Sequence, residues 1–229
     1  MSLLRHIPNI LTSGNLLCGC LGLISLSGNY PIEPAYFIWA ACVFDFFDGF
    51  AARLLNSSSP IGKELDSLAD MVSFGVLPAM VMYRWIDSTD GASWLSYIAL
   101  MIAVLSALRL ALFNVDTRQS DSFIGLPTPA NALFITSLVF LPESVRAFVF
   151  TTPVLSGITI VFSLLLVAPL ELFALKFKDF SLTNNKLRYT FLALSVLLII
   201  LINAGALPII ILLYIIISLL SRISTGKKN

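Results

Sequence analysis

Acidic residues are concentrated in one short part of an otherwise apolar chain. Of its 13 acidic residues, five lie between positions 45 and 70, and only two basic residues, Arg53 and Lys63, lie near them. Burying a carboxylate at the depth of a membrane is costly, so such groups need a compensating partner. The excess of three acids over bases predicts bound divalent cations. Ligation by carboxylate oxygens alone favours Mg²⁺ or Mn²⁺ over Zn²⁺.

The spacing of four aspartates allows them to meet at one point. Asp45 and Asp48 are three residues apart and Asp66 and Asp70 are four apart, so each pair shares one face of a helix. Between the pairs, residues 56–61 (NSSSPI) form a polar turn with N-cap candidates and a proline suited to a helix start. An antiparallel hairpin would then bring all four carboxylates together near the inner membrane interface.

Small residues follow the first acidic pair. Gly49 comes directly after Asp48, and Ala52 lies one helical turn further. Small residues at such positions serve close helix packing in membranes, or they leave room for a ligand against the backbone, and the residues alone leave both interpretations open. Arg53, one turn beyond Gly49, can donate two parallel hydrogen bonds to a phosphate.

The composition of the whole chain indicates what must position these side chains. Of 229 residues, 58% are hydrophobic and 12% are charged, and the mean hydropathy is +0.93. A soluble domain carries roughly 25% charged residues, so a water-soluble globule, a disordered chain and a three-cysteine disulfide scaffold are all excluded. The net charge of +1 argues against nucleic acid as a partner. We predict one all-α polytopic membrane domain over residues 1–229.

Spanning helices need about 20 mostly apolar residues. That criterion predicts eight spans near 9–28, 33–55, 62–86, 93–115, 127–142, 148–175, 188–203 and 206–222. Residues 203–208 (NAGALP) interrupt the last apolar stretch as either a turn or a kink. With eight spans and an inner N-terminus, twelve of the 14 Lys and Arg residues fall on the inner side, which predicts two cytoplasmic termini.

The acidic segment carries a recognisable pattern. It reads Asp45-x-x-Asp48-Gly49-x-x-Ala52-Arg53, eight residues, and Gly62-x-x-x-Asp66-x-x-x-Asp70. This pattern resembles the signature of the CDP-alcohol phosphatidyltransferases without departure in residue or spacing. Residues 62–78, 109–114 and 123–129 further resemble the phosphatidylserine synthase branch of that family. The resemblance covers roughly residues 5–135.

The resemblance implies the helical membrane fold of that family and transfer of a phosphatidyl group from CDP-diacylglycerol to the hydroxyl of L-serine. It implies two divalent ions, Mg²⁺ or Mn²⁺, on Asp45, Asp48, Asp66 and Asp70, with Asp70 also the general base. The catalytic core would comprise about 5–135 and 148–175. The spans at 188–222 would be scaffold or dimer surface in a homodimer of the cell inner membrane, with the active site facing the cytoplasm.

The resemblance also implies residues that bind the two substrates. Those for CDP-diacylglycerol are Gly49, Arg53, Ser59 and Gly62, with Asn9, Thr12 and Ser13 at the polar start of the first span; seen alone, Asn9 and Thr12 are ordinary capping residues. Serine is a zwitterion and needs a cation for its carboxylate. Arg109 is the candidate, helped by Arg118 and Asn114, although Arg109 could instead extend to the membrane interface.

Two other functions compete with this hypothesis. Another enzyme of the same family would use glycerol 3-phosphate or inositol as acceptor, and a phosphorylated acceptor would need an additional basic cluster. A cation transporter also carries intramembrane carboxylates, but it would need polar residues along several spans to the outer face. Here the acids stop at one side of the membrane, which favours the transferase.

Overall fold

The computed structural model describes residues 3–28, 32–90, 94–116, 122–173, 181 and 185–224. Its helices are α1 (Ile7–Ser25), α2 (Pro34–Leu54), α3 (Pro60–Asp70), α4 (Leu77–Asp90), α5 (Leu100–Val115), α6 (Thr128–Ser137), α7 (Glu143–Val149), α8 (Thr152–Val167), α9 (Lys186–Ile202) and α10 (Ala206–Ser224). A π-helical segment, Met71–Val76, joins α3 to α4. Short 3₁₀ turns occupy Leu3–His6, Trp94–Ala99, Leu138–Phe140 and Asn203–Gly205.

Long apolar helices dominate the described residues, as the composition predicts. Five helical stretches are long and apolar enough to cross a membrane: Ile7–Ser25, Pro34–Leu54, Pro60–Thr89, Trp94–Val115 and Lys186–Ser221, the last of which is interrupted at Asn203–Gly205. A sixth arises if Thr128–Phe140 and Glu143–Val149, bent by 119°, form one span, and Thr152–Val167 is apolar but shorter. The polytopic helical architecture is therefore confirmed, apart from one short β-ladder, whereas the count of eight spans stays a prediction.

The last apolar stretch folds back on itself. Asn203 has a φ of 53°, and the ring of Phe191 in α9 lies 5.9 Å from the ring of Tyr214 in α10. At 1.5 Å per residue, one straight helix would separate these two residues by about 34 Å. The interruption at 203–208 is therefore a turn rather than a kink.

A short β-ladder differs from the hydropathy-based prediction. The sixth span was predicted to continue to residue 175, but α8 ends at Val167 and β2 (Glu171–Phe173) pairs antiparallel with β1 (Ser122–Ile124). Ala168 is extended, with ψ of 141°, because the residue before a proline disfavours the helical conformation. At Gly125, where φ is +80°, a Cβ would collide with the carbonyl oxygen of Leu166, so glycine allows the two segments to approach.

Helix α1 is the element that connects the two acid-bearing helices. It packs mainly along α2, and it also contacts α3, the π-helical segment and α4. Around it lies an apolar cluster that includes Cys18, Ile38, Phe74 and Leu77. A second, larger cluster joins α4, α6, α8 and α10, with the rings of Phe134 and Phe162 stacked at 3.7 Å. The acidic residues therefore lie on helices whose mutual position is set through α1.

Candidate active site

The turn between α2 and α3 fixes the start of the second acid-bearing helix. Ser59 is its N-cap and accepts a hydrogen bond from the backbone N–H of Gly62 at 3.0 Å, and Pro60 is the first helical residue. The preceding Asn56 has a φ of 46°, a left-handed conformation that asparagine tolerates better than most residues. The predicted polar turn and helix start are confirmed, and they determine which way α3 presents its acids.

Three of the predicted carboxylates form a compact group. Oxygens of Asp45, Asp48 and Asp66 all lie within 4.8 Å of one another. Asp48 is only 5% exposed, and the other two are half-buried. The Oδ1 atom of Asp66 is buried and has no hydrogen-bond partner within the described ranges. A buried carboxylate oxygen without a donor, beside two further carboxylates, fits the ligand set of a divalent cation.

Asp70 lies beside this group rather than within it. It is 8% exposed, and its Oδ1 accepts a hydrogen bond from the side-chain amide of Asn15 at 3.0 Å. Its carboxylate is close enough to Asp45 and Asp66 to interact with them electrostatically. The four aspartates thus lie in one region, where Asp45, Asp48 and Asp66 form a compact group and Asp70 lies next to it. Glu64, the fifth acid of the segment, is exposed on α3.

Two side chains of α1 hold the acids, which the sequence did not indicate. The hydroxyl of Thr12 donates to Asp48 Oδ2 at 2.7 Å. Thr12 was predicted to bind CDP-diacylglycerol, and it also contacts one of the acids. Asn15 was missed altogether. Its signal in the sequence is an amide inside an apolar span, because polar groups at membrane depth are usually functional.

A cavity of about 600 Å³ opens beside the acidic group. Its lining includes most of the residues predicted to bind the lipid nucleotide, together with two of the acids and the polar turn: Pro8, Asn9, Thr12, Asp48, Gly49, Ala52, Ser57, Ser58, Ser59, Pro60, Gly62, Lys63 and Asp66. A Cβ on Gly62 would lie 3.1 Å from Ser59 Oγ and 3.2 Å from Asn9 Oδ1. Glycine there therefore lets α1 and the start of α3 close the cavity together.

Two of the residues predicted to bind CDP-diacylglycerol do not line this cavity. Ser13 is exposed, and its hydroxyl donates to the backbone oxygen of Asn9 at 2.7 Å. Arg53 is also exposed, and its guanidinium lies over Gly49, 3.6 Å from where a Cβ would be. Arg53 is thus near the edge of the cavity, whereas the hydroxyl of Ser13 forms its hydrogen bond within α1.

The residues predicted to bind the substrate serine differ in their surroundings. Arg109 is 7% exposed, its guanidinium lies 5.0 Å from the ring centre of Phe113, and its Nε has no hydrogen-bond partner in the part of the chain that is described. It also interacts electrostatically with Asp70. The side chain is therefore buried within the protein, beside Phe113. Arg118 lies outside the described residues.

Asn114 links two helices. Its side-chain amide donates to Ser67 Oγ at 2.8 Å, and its backbone oxygen accepts from Lys63 Nζ at 2.8 Å. Both partners belong to α3, so this residue ties the end of α5 to the helix that carries Asp66 and Asp70. The side-chain amide of Asn114 still has a second N–H and its oxygen, so its predicted role in binding serine stays a prediction.

Comparison with known proteins adds a family and named relatives. A family model described as CDP-alcohol phosphatidyltransferase matches residues 5–167. The chain is 38% identical over 141 residues to the CDP-diacylglycerol–serine O-phosphatidyltransferase of Bacillus subtilis, an alignment that covers 60% of this chain and 77% of that protein. The family-model match includes every residue of the acidic region and ends before α9.

Two further relatives carry the same name. The Helicobacter pylori protein (strain J99) is 36% identical over 136 residues, and the Methanocaldococcus jannaschii protein is 34% identical over 139 residues. These alignments cover 58% and 60% of this chain, but only 57% and 62% of the respective relatives. The chain therefore spans only part of the length of these two relatives.

Proposed function

The chain belongs to the CDP-alcohol phosphatidyltransferase family, and from that premise we propose that it transfers the phosphatidyl group of CDP-diacylglycerol to L-serine, giving phosphatidylserine and CMP. The names of its relatives support serine as the acceptor. The observation that carries the proposal is the carboxylate group of Asp45, Asp48 and Asp66 beside a cavity of about 600 Å³. This volume lies within the range of small-molecule sites.

The cavity accepts the cytidine diphosphate head of the donor lipid. Gly49 and Gly62 leave space against the backbone, while Asn9, Thr12 and Ser59 supply polar groups. Arg53 at the edge donates to a phosphate, since a guanidinium matches phosphate oxygens with two parallel hydrogen bonds. The apolar tails remain outside, along helices whose outer faces carry exposed aliphatic side chains.

The four aspartates are the residues that would hold divalent cations. Oxygens of Asp45, Asp48 and Asp66 already lie close enough together to bind one cation. The unpartnered Oδ1 of Asp66 supports its assignment as a ligand. When bound, two Mg²⁺ or Mn²⁺ ions would neutralise charge on the pyrophosphate and on the departing CMP. The contribution of the protein is to keep these carboxylates together before substrate arrives.

Asp70 accepts the proton of the serine hydroxyl. One of its oxygens is occupied by the Asn15 amide, which leaves the other for the acceptor. As the serine oxygen forms its bond to the phosphatidyl phosphorus, the bond from phosphorus to the CMP oxygen breaks, and the proton moves to Asp70. This direct displacement needs no covalent phosphatidyl-enzyme.

Arg109 binds the carboxylate of serine. It is a buried cation that interacts with Asp70 and has an unpartnered Nε, so a ligand carboxylate would complete its hydrogen bonds. Asn114 holds the end of α5 in place, and Arg118 lies nine residues after Arg109 along the chain. The acceptor therefore reaches Asp70 from the α5 side.

Orientation and assembly complete the proposal. With both termini in the cytoplasm and the chain in the cell inner membrane, twelve of 14 basic residues face inward, in agreement with the positive-inside rule. The active site then meets water-soluble serine and CMP on the cytoplasmic side. The homodimer rests on the family resemblance alone and is tested by the mass of the purified protein in detergent.

One assay tests the reaction. Purified protein receives CDP-diacylglycerol with serine, glycerol 3-phosphate or inositol, each with Mg²⁺, Mn²⁺ or a chelator, and both CMP and the lipid product are measured. We expect phosphatidylserine with serine only, and no turnover in the chelator. A lipid product from another acceptor would overturn serine specificity, and turnover without divalent ions would overturn the assignment of the aspartates.

A further inference from the structure

Asn15 joins α1 to the segment that carries Asp70. It is 0% exposed, and its Nδ2 donates to Asp70 Oδ1 at 3.0 Å. Its Oδ1 has no partner among the residues that the structure describes. Because a carboxylate only accepts hydrogen bonds, the amide must present its N–H group to Asp70. The contact therefore fixes the orientation of both side chains.

A second contact anchors the same residue from its backbone. The hydroxyl of Ser73 donates to the backbone oxygen of Asn15 at 2.9 Å. Ser73 lies in the π-helical segment that begins directly after Asp70, and segments of this kind are frequent at functional sites. At Gly19, one turn further along α1, a Cβ would be 3.0 Å from Ser73 Cα. Close approach of the two backbones thus brings Asn15 to Asp70.

We propose that Asn15 is a positioning residue for the reaction, which holds the Asp70 carboxylate with one oxygen occupied and the other directed to the acceptor hydroxyl. The inference rests on the proposed function and adds a residue to it. Without this contact, Asp70 would rotate and its second oxygen would no longer be fixed beside the acceptor. Groups that orient an active side chain in this way typically contribute about 10- to 100-fold in activity or metal affinity.

Two substitutions test the hydrogen bond separately from the packing. Asn15→Asp keeps the shape but replaces the donor with an acceptor, and Asn15→Leu keeps a similar volume with no polar group. We expect kcat to fall about 10- to 100-fold in both, with the KM for CDP-diacylglycerol unchanged. Ser25→Ala is the matched control, because Ser25 is a buried hydroxyl on the same helix that bonds only to Gly22 within that helix.

A measurement without turnover accompanies the kinetics. Binding of Mn²⁺, followed by electron paramagnetic resonance in the absence of substrate, should weaken in Asn15→Leu, which cannot hold Asp70, and stay unchanged in Ser25→Ala. Ser73→Ala provides a milder variant if the Asn15 proteins do not fold. It leaves the side chains of Asn15 and Asp70 in place, and we expect a smaller fall in kcat with the same unchanged donor KM.

The outcomes separate this inference from the reaction itself. A wild-type protein that makes no phosphatidylserine overturns the proposed function. A wild-type protein that does make it, with an unchanged kcat in a folded Asn15→Asp variant, overturns the role of Asn15 alone. An equal loss of kcat in Ser25→Ala also overturns it, because the effect would then come from general disturbance of α1.

Discussion

Polar side chains are used in opposite ways at the two ends of this chain. Around α1–α3, hydroxyls, amides and an ammonium form hydrogen bonds between helices, as in Thr12 to Asp48, Asn15 to Asp70 and Lys63 to Asn114. In the α9–α10 hairpin, Ser195 and Ser218 donate to backbone oxygens one turn earlier in their own helices. Bonds between helices orient groups for chemistry, whereas bonds within a helix only satisfy a polar atom in an apolar environment.

Tyr214 in α10 is an exception to this pattern. The hydroxyl of Tyr214 donates to the backbone oxygen of Phe173 at 3.0 Å, so it fastens α10 to the β-ladder rather than to the acidic group. The family match also ends at residue 167, before the hairpin begins. The polar contacts of α1–α3 therefore join helices around the acidic group, whereas, within the described residues, those of the α9–α10 hairpin do not reach that group.

The largest expected effect lies in the acidic group. Asp66→Asn should lower kcat by at least about 10²- to 10³-fold, the size found when one electrostatic stabiliser of a transition state is removed. The melting temperature without divalent ions should not fall, because one negative charge leaves a crowded group. Glu64→Gln is the matched control, since it removes an exposed charge two residues earlier on α3. Equal activity of the two variants would contradict the assignment.

Arg109→Ala should act mainly on the acceptor. A hydrogen bond to a charged group contributes about 1.5–3 kcal/mol, which corresponds to roughly a 10- to 100-fold rise in the KM for serine. The KM for CDP-diacylglycerol should change much less. Arg146→Ala in α7 removes an exposed arginine elsewhere in the chain and should alter neither constant. An equal rise in both constants for Arg109→Ala would reject its role in binding the serine carboxylate.

Asn114→Ala should have a moderate effect on both stability and binding. The substitution removes the bond to Ser67, so we expect a loss of about 1 kcal/mol in stability, seen as a lower melting temperature in detergent. The KM for serine should rise a few-fold because the end of α5 is less well fixed. A change in kcat without any change in melting temperature would indicate that Asn114 instead contacts the substrate.

Ser195→Ala should have the smallest effect. The hydroxyl of Ser195 bonds only to Phe191 within α9, so its loss should change stability by no more than about 0.5 kcal/mol and leave turnover unchanged. The same measurements as for Asn114→Ala apply. A large loss of activity would show that the hairpin participates in catalysis, and the contrast between the two regions would no longer hold.

The sequence predicts the acidic residues, the turn at 56–61 and the helical fold because these depend on local spacing and composition. It does not predict that Thr12 and Asn15 contact Asp48 and Asp70, because those partners depend on how far α1 is rotated and how deep it lies against α2 and α3. The β-ladder was missed for a related reason. Its strands have three residues each, too few for an alternating pattern to be visible.

The π-helical segment after Asp70 changes which side of the helical stretch Pro60–Thr89 faces the bundle. A single α-helix advances about 100° per residue, so one extra residue within a turn rotates everything beyond it relative to what precedes it. The half that bears Asp66 and Asp70 can therefore face the acids of α2, while α4 turns a different side to the bundle. Deleting one residue from 71–76 would restore regular winding and force a choice between these two orientations.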